Sequence, residues 1–351
     1  MRNTKSLFAT GLICLFFFSC LDAQDVHFSQ IHNTPLYNNP AQTGVFGGDI
    51  RFMGNYRNQW SRVPVDFTTF GVAADMKFIR NTAKKGFFAG GIQFFYDRAG
   101  LTKLTLMNLG LFGSYTRQLN DHSFASGGVM IGGSQRGFSL DGVRFDNQWN
   151  GDVVDLSRPN GENFPNTSKL FMDLGVGLNY RWQSLEPGEL VDRLENRSKI
   201  DAGIGIYHFH TPNQGFYEED DAPLEMRLSP YITSIIQLDD EVDLVADLLA
   251  QFQGQYTEWV GIIGGKLHLD RDLGNQWAIQ LELGYRFDDY GDAFFPGIEV
   301  FYNNWQAGVT YDLNVSDFDI ATQRRGGLEL SIRYIIKKVR PLPEHKICPL
   351  I

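Results

Sequence analysis

The chain has 351 residues, a formal net charge of −10, 43% hydrophobic residues, 14% aromatics and 37 glycines. An acidic balance of this size excludes nucleic acid as a partner, because its phosphates would be repelled. Of three cysteines, two lie in an apolar leader, which excludes both a disulfide framework and a cysteine metal cluster.

Residues 1–23 read as a secretory signal peptide that is removed. Arg2 and Lys5 form its basic start and residues 7–20 (LFATGLICLFFFSC) its apolar run, with cleavage expected after Ala23. That run is too short for a spanning helix, which needs ~20 residues. Lipidation at Cys20 is the competing reading. Phe17 and Phe18 weigh against it, since a bulky ring stands where lipoprotein signals usually carry leucine. After cleavage Cys348 is the remaining thiol.

Residues 24–48 follow as an N-terminal segment without helical or strand periodicity. Within it, HFSQIHNTPLYNNPAQTG (27–44) is rich in turn-forming Asn, Pro and Gly.

From about residue 49 to 338 the pattern changes to period-two alternation. In KLFMDLGVGLNYRWQ (169–183), Leu170, Met172, Leu174, Val176, Leu178, Tyr180 and Trp182 share one face; Phe171 is the exception on the polar face. WAIQLELGYRF (277–287) and residues 328–336 repeat it. The predicted strands are 50–60, 66–78, 87–97, 103–117, 123–135, 168–183, 199–210, 227–238, 242–253, 258–268, 276–287, 292–302, 305–314 and 326–338. Soluble strands average ~5–6 residues and tilted membrane strands ~9–11; many of these runs reach ten or more. Aromatics also gather near strand ends, at Trp60, Tyr180, Trp182, Trp259, Trp277 and Trp305. The fold class is therefore all-β, a transmembrane antiparallel β-barrel of about 14 strands over 49–338, with a C-terminal tail at 339–351. If the chain enters from the periplasm, the long loops 136–167, 211–226 and 315–325 fall outside the cell and the tight turns 239–241 and 303–304 inside. The connection 184–198 is long for a periplasmic turn.

The order of several stretches is similar to one known family. QDVHFSQIHNTPLYNNPAQTG (24–44) and RFMGNYRNQW (51–60) resemble the N-terminal signature of PorP/SprF outer-membrane proteins of the type IX secretion system. The signature positions are Phe28, Ser29, Gln30, Asn39, Pro40, Ala41, Gly44, Tyr56, Arg57, Asn58, Gln59 and Trp60. IGIYHFHTPNQGF (204–216), residues 283–318 and residues 329–351 extend the resemblance over nearly the whole mature chain. The resemblance implies a cell outer-membrane, non-enzymatic protein that aids export or surface attachment of large adhesins and is linked to gliding motility. In such a barrel, 24–48 would fold into the lumen or cover its periplasmic mouth, with Arg51, Asn55, Arg57 and Gln59 bonding its backbone; a disordered leader is the bland alternative.

Site candidates follow from the same topology. Phe145, Trp149, Phe164, Phe216 and Tyr217 sit on predicted exterior loops, where a secreted cargo protein or its C-terminal domain could cover them. Lys338, Arg340 and Lys346 make the tail basic, and Pro341, Pro343 and Pro349 prevent helix or strand continuation, so it fits a segment that docks periplasmic type IX components or an unstructured extension. The outer surface meets outer-membrane lipid. No cofactor is expected. His208 and His210, two apart on a predicted strand, would point the same way but lack a third metal ligand. The acidic runs 218–221 and Asp288, Asp289 and Asp292 lack EF-hand spacing. Catalytic motifs of the G-x-S-x-G, H-E-x-x-H and phosphate-loop types are absent. The rival function is a general or substrate-selective porin, with the mixed inward charges lining a pore.

Overall fold

A computed structural model describes residues 25–59, 67–81, 85–162, 165–185, 197–217, 222–272, 274–288, 293–315 and 325–337. The expected signal peptide and tail, with Trp60, Phe164, residues 218–221, Asp289, Asp292, Lys338, Arg340 and Lys346, lie outside the described residues.

The alternating segments form fourteen strands: β1 (Ile50–Gln59), β2 (Phe67–Asn81), β3 (Gly86–Ala99), β4 (Leu104–Gln118), β5 (Ser123–Gly137), β6 (Ser168–Gln183), β7 (Lys199–Tyr207), β8 (Arg227–Gln237), β9 (Val242–Gln253), β10 (Tyr256–Asp270), β11 (Trp277–Asp288), β12 (Ala293–Tyr302), β13 (Trp305–Asn314) and β14 (Arg325–Ile336). Each pairs antiparallel with its sequence neighbours. β1 pairs with β14 from Ile50↔Ile336 to Gln59↔Gly327, which closes the sheet and leaves no edge. The alternation expected from the sequence fixes which side chains face in and out. Phe52, Phe70, Leu111, Ile131, Leu170, Leu178, Ile263 and Leu281 are exposed on the outer surface, while Arg57, Asn108, Asp173, Glu258, Gln280, Glu299 and Glu329 are buried inside. An apolar exterior around a polar interior is the inverse of a soluble protein and suits lipid outside.

The expected strands are recovered within a few residues, with one instructive difference. β7 stops at Tyr207 rather than 210, because His208 takes a left-handed backbone with φ +54°. That turn removes the premise that His208 and His210 share a strand face. His210 Nε2 instead contacts the Met172 carbonyl at 2.9 Å, and His208 turns into the lumen.

Strand parity divides the barrel into two ends. One carries the connections 82–85, 119–122, 184–198, 238–241, 271–276 and 303–304 and the end of β14; the other carries the longer loops 138–167, 208–226 and 315–324.

Candidate functional site

A polar barrel interior of this size needs partners for its charges, and residues 25–49 supply them. Three short helical turns, Ile31–Asn33, Pro35–Asn38 and Pro40–Gln42, make the segment compact. Pro35 and Pro40 begin the second and third, where a missing N–H costs nothing. Asn39 caps the third by accepting from the Ala41 N–H at 2.8 Å.

At the long-loop end, the Asp25 N–H donates to Gln253 Oε1 at 3.0 Å. Its carboxylate lies 2.7 Å from His208 Nε2 and 3.3 Å from Arg227 Nη1, and His208 Nδ1 lies 2.7 Å from Asp173 Oδ1. Burial alone would lower the His208 pKa, but Asp25 and Asp173 on either side outweigh it and push it up to about 9. Burial likewise raises Asp25, and His208 with Arg227 reverses this to about 2. The two shifts describe one interaction, an imidazolium clamped between two carboxylates.

Next along the segment, Glu329 accepts from the backbone N–H groups of Ser29 (2.7 Å) and Gln30 (3.0 Å). Asp312 accepts from the Ser29 hydroxyl at 3.1 Å, from Arg57 Nη2 at 2.8 Å and from Arg286 Nη1 at 3.0 Å. Arg57 Nη1 also donates to the His27 carbonyl at 2.6 Å. Asn39 Nδ2 donates to the Leu178 carbonyl at 2.8 Å and to Tyr231 Oη at 3.3 Å. Toward the short-turn end, Gly44 has φ +75° and its N–H donates to Asp75 at 2.7 Å. Arg51 forks onto the same Asp75 at 2.9 and 2.8 Å and reaches the Gln42 carbonyl at 3.2 Å. Asp49 then joins the sheet, donating to the Ile336 carbonyl at 2.8 Å.

Apolar side chains fill the gaps between these polar contacts. Leu36 packs with Met53, Phe112, Met130 and Tyr207; Val26, Phe28 and Tyr37 pack with Phe95; Ile31 packs with Tyr231, Leu249, Val260, Ile262 and Phe295. The segment thus runs as a plug through the barrel from one end to the other. Beneath it a cavity of about 340 Å³ is lined by Arg51, Arg181, Lys199, Lys266 and Arg333 among others, at the short-turn end.

The structure brings the signature residues together unequally. Phe28, Ser29, Gln30, Asn39, Pro40, Ala41 and Gly44 lie in the plug, and Arg57 is the wall residue that meets them. Tyr56 faces outward, Asn58 bonds Thr68 on β2 at 3.1 Å, and Gln59 is half-buried. Of the expected backbone donors, Arg51 and Arg57 act as such, whereas Asn55 Nδ2 has no partner. The loop aromatics do not form one patch among the described residues: Trp149 and Tyr217 are exposed, Phe145 is half-buried, and Phe216 packs edge-on against Phe138 at 4.7 Å. Sequence reasoning missed Asp25, Asp75, Asp312 and the role of His208. Asp75 and Asp312 fall within predicted strands, but nothing in the alternation pairs them with the plug.

Among curated proteins, none matches the chain significantly. Solved structures that resemble it include a Pseudomonas aeruginosa FadL homologue (13% identity, 85% of this chain and 93% of that chain, TM-score 0.49). Others are the CymD monoaromatic hydrocarbon channel (9%, 90% and 95%, TM-score 0.48) and the Ralstonia pickettii toluene transporter TbuX (11%, 89% and 95%, TM-score 0.46). Likenesses this distant carry no argument about function. The family model described as type IX secretion system membrane protein PorP/SprF matches residues 21–334. The plug, its Arg57 contact and all but the last two residues of the barrel wall fall inside that match, and the chain belongs to the PorP/SprF family of outer-membrane type IX secretion proteins.

Proposed function

We propose that this protein is a plugged, non-enzymatic adapter of the type IX secretion system, aiding export or surface attachment of large adhesin-like cargo and through it gliding motility. The observation that carries this reading is the filled lumen. Residues 25–49 are bonded to the wall at both ends and in the middle, so the mixed inward charges have protein partners rather than a water column. A porin needs an aqueous path through the same space.

In this reading a signal peptide over 1–23 is removed, the short-turn end faces the periplasm and the long loops face outward. Those loops, with Phe145, Trp149, Phe164, Phe216 and Tyr217, engage cargo or its C-terminal domain. The basic tail, with Lys338, Arg340 and Lys346, engages periplasmic components. Conductance in planar bilayers tests the reading. The purified full chain is expected to be silent, and a variant lacking residues 25–46 to open steady large channels. A steady large conductance from the intact chain would replace the adapter with a porin.

A further inference from the structure

His32 belongs to the plug turn Ile31–Asn33 and reaches the wall on two sides. Its Nδ1 lies 2.9 Å from Asp247 Oδ2 on β9, and its Nε2 lies 2.8 Å from Glu299 Oε1 on β12. Glu282 on β11 brings a further carboxylate, so that one ligand atom each from His32, Glu282 and Glu299 lies within 4.8 Å of the others.

The two glutamates are held in place but left with coordinating capacity. Glu299 accepts from Asn33 Nδ2 at 2.5 Å and from Gln306 Nε2 at 2.7 Å. Glu282, only 2% exposed, has one oxygen fixed by Gln280 Nε2 at 2.9 Å. Its other oxygen, Oε1, is buried and has no hydrogen-bond partner. A buried carboxylate oxygen without a hydrogen-bond partner is costly.

Charge points the same way. Asp247, Glu282 and Glu299 surround a single imidazole. Arg333, which reaches the His32 carbonyl at 3.5 Å, and Lys266 are basic groups on the same cavity. Three carboxylates around one imidazole make the cluster attractive to a cation. The ring is also oriented as metal-bound histidines are, with one nitrogen held by a carboxylate and the other directed at the ligand cluster.

We propose that His32 Nε2, Glu282 and Glu299 bind a divalent cation that latches the plug to the wall, with Asp247 holding the Nδ1–H. One imidazole with carboxylate oxygens favours Zn²⁺, a borderline ion, or Mn²⁺, a harder ion that accepts mixed nitrogen and oxygen shells, over Ca²⁺ or Mg²⁺, which prefer all-oxygen shells. Because the nitrogen comes from the plug and the oxygens from β11 and β12, the ion cross-links elements 250 or more residues apart in sequence. Its effect on the lumen rests on the plugged-barrel reading; the binding itself does not.

The test uses the full chain purified in detergent, stripped with chelator and titrated separately with ZnCl₂, MnCl₂ and CaCl₂. Bound metal is counted by elemental analysis, and stability is read as the temperature at which the compact electrophoretic band is lost. The expected result is one Zn²⁺ or Mn²⁺ per chain and a raised midpoint, with Ca²⁺ at least ten-fold weaker. Glu282→Gln keeps the packing and removes the unpartnered charge. It should weaken metal binding at least ten-fold while leaving the metal-free protein as stable as the parent or more so. His32→Gln should also lose the metal. No stoichiometric metal on the parent chain, or unchanged binding by Glu282→Gln, would overturn the site and leave a proton as the bridge. Conductance of the metal-loaded protein tests the plug separately, so the two readings fail independently.

Discussion

His208 Nε2 and Asp25 Oδ2 stand 2.7 Å apart although 183 positions separate them, and this contact fastens the start of the plug at the long-loop end. His208 is raised to about 9 and Asp25 lowered to about 2. A raised histidine contributes stability that is fully present below its unfolded value of about 6.5 and is lost as pH rises through about 9. A lowered aspartate contributes above about 3.8 and loses that as pH falls through about 2. The anchor is therefore strongest between about pH 4 and pH 6.5, and its alkaline loss is on the order of 3 kcal/mol. The melting midpoint of the detergent-solubilised protein should fall between pH 7 and pH 10. His208→Gln should flatten that slope; an unchanged slope would remove the pair from the account.

Asp312 sits between two guanidinium groups, Arg57 and Arg286, and all three side chains are almost fully buried. Asp312→Asn keeps the shape but removes the carboxylate shared by the two guanidinium groups, leaving Arg57 with Glu329 at 3.8 Å and Arg286 with Glu258 at 3.3 Å. Losing these charge-assisted hydrogen bonds is expected to cost ~1.5–3 kcal/mol. The exposed pair of Lys85 and Asp121, 3.8 Å apart, provides the contrast: Lys85→Ala should change stability by ~0–1 kcal/mol. Thermal unfolding of the two variants side by side checks the difference. Equal effects would mean that the lumen is wet enough to screen its charges.

The barrel was legible in the sequence because each strand announces itself locally: alternation needs only neighbours two residues away. Leu170 to Trp182 could be assigned to lipid without knowing what β6 pairs with. The plug was legible only as a segment with turn residues and no period. Its partners, such as Glu329 for Ser29 and Leu178 for Asn39, lie 300 and 139 positions away, and nothing local encodes them. His208 illustrates the boundary. Apolar–polar alternation carried the strand three residues too far, because a positive φ at a histidine has no signature in hydrophobic pattern. The cluster of His32, Glu282 and Glu299 was invisible for the same reason as the plug contacts. Metal-ligand spacing can be recognised when ligands share one element, and here they come from three.

Glycines on the wall form the seat of the Asn39-Pro40-Ala41 turn. A Cβ on Gly128 would lie 2.5 Å from the Pro40 carbonyl and the Ala41 nitrogen, and one on Gly205 would lie 2.2 Å from the Asn38 oxygen. These are backbone atoms of a segment bonded on both sides, so they have little room to retreat. Gly128→Ala and Gly205→Ala are expected to destabilise the docked plug by ~1–3 kcal/mol through overpacking. Gly133→Ala, with nothing within 4 Å, should stay within ~0.5 kcal/mol of the parent. Proteinase K cleavage between residues 27 and 44 reads the docking directly: faster for the first two variants, unchanged for the third.

The plug also has a direction. Asp25 bonds Gln253, the last residue of β9, at the long-loop end, whereas Asp49 bonds Ile336, the last residue of β14, at the short-turn end. If the leader is cut after Ala23 and the short turns face the periplasm, the new N-terminus lies toward the cell surface. A short epitope placed between Ala23 and Gln24 should be bound by antibody on intact cells, and Cys20→Ser should leave outer-membrane localisation unchanged. An epitope reached only after the outer membrane is permeabilised would mean that the barrel is inserted with the opposite orientation, and the loops assigned to cargo would face the periplasm.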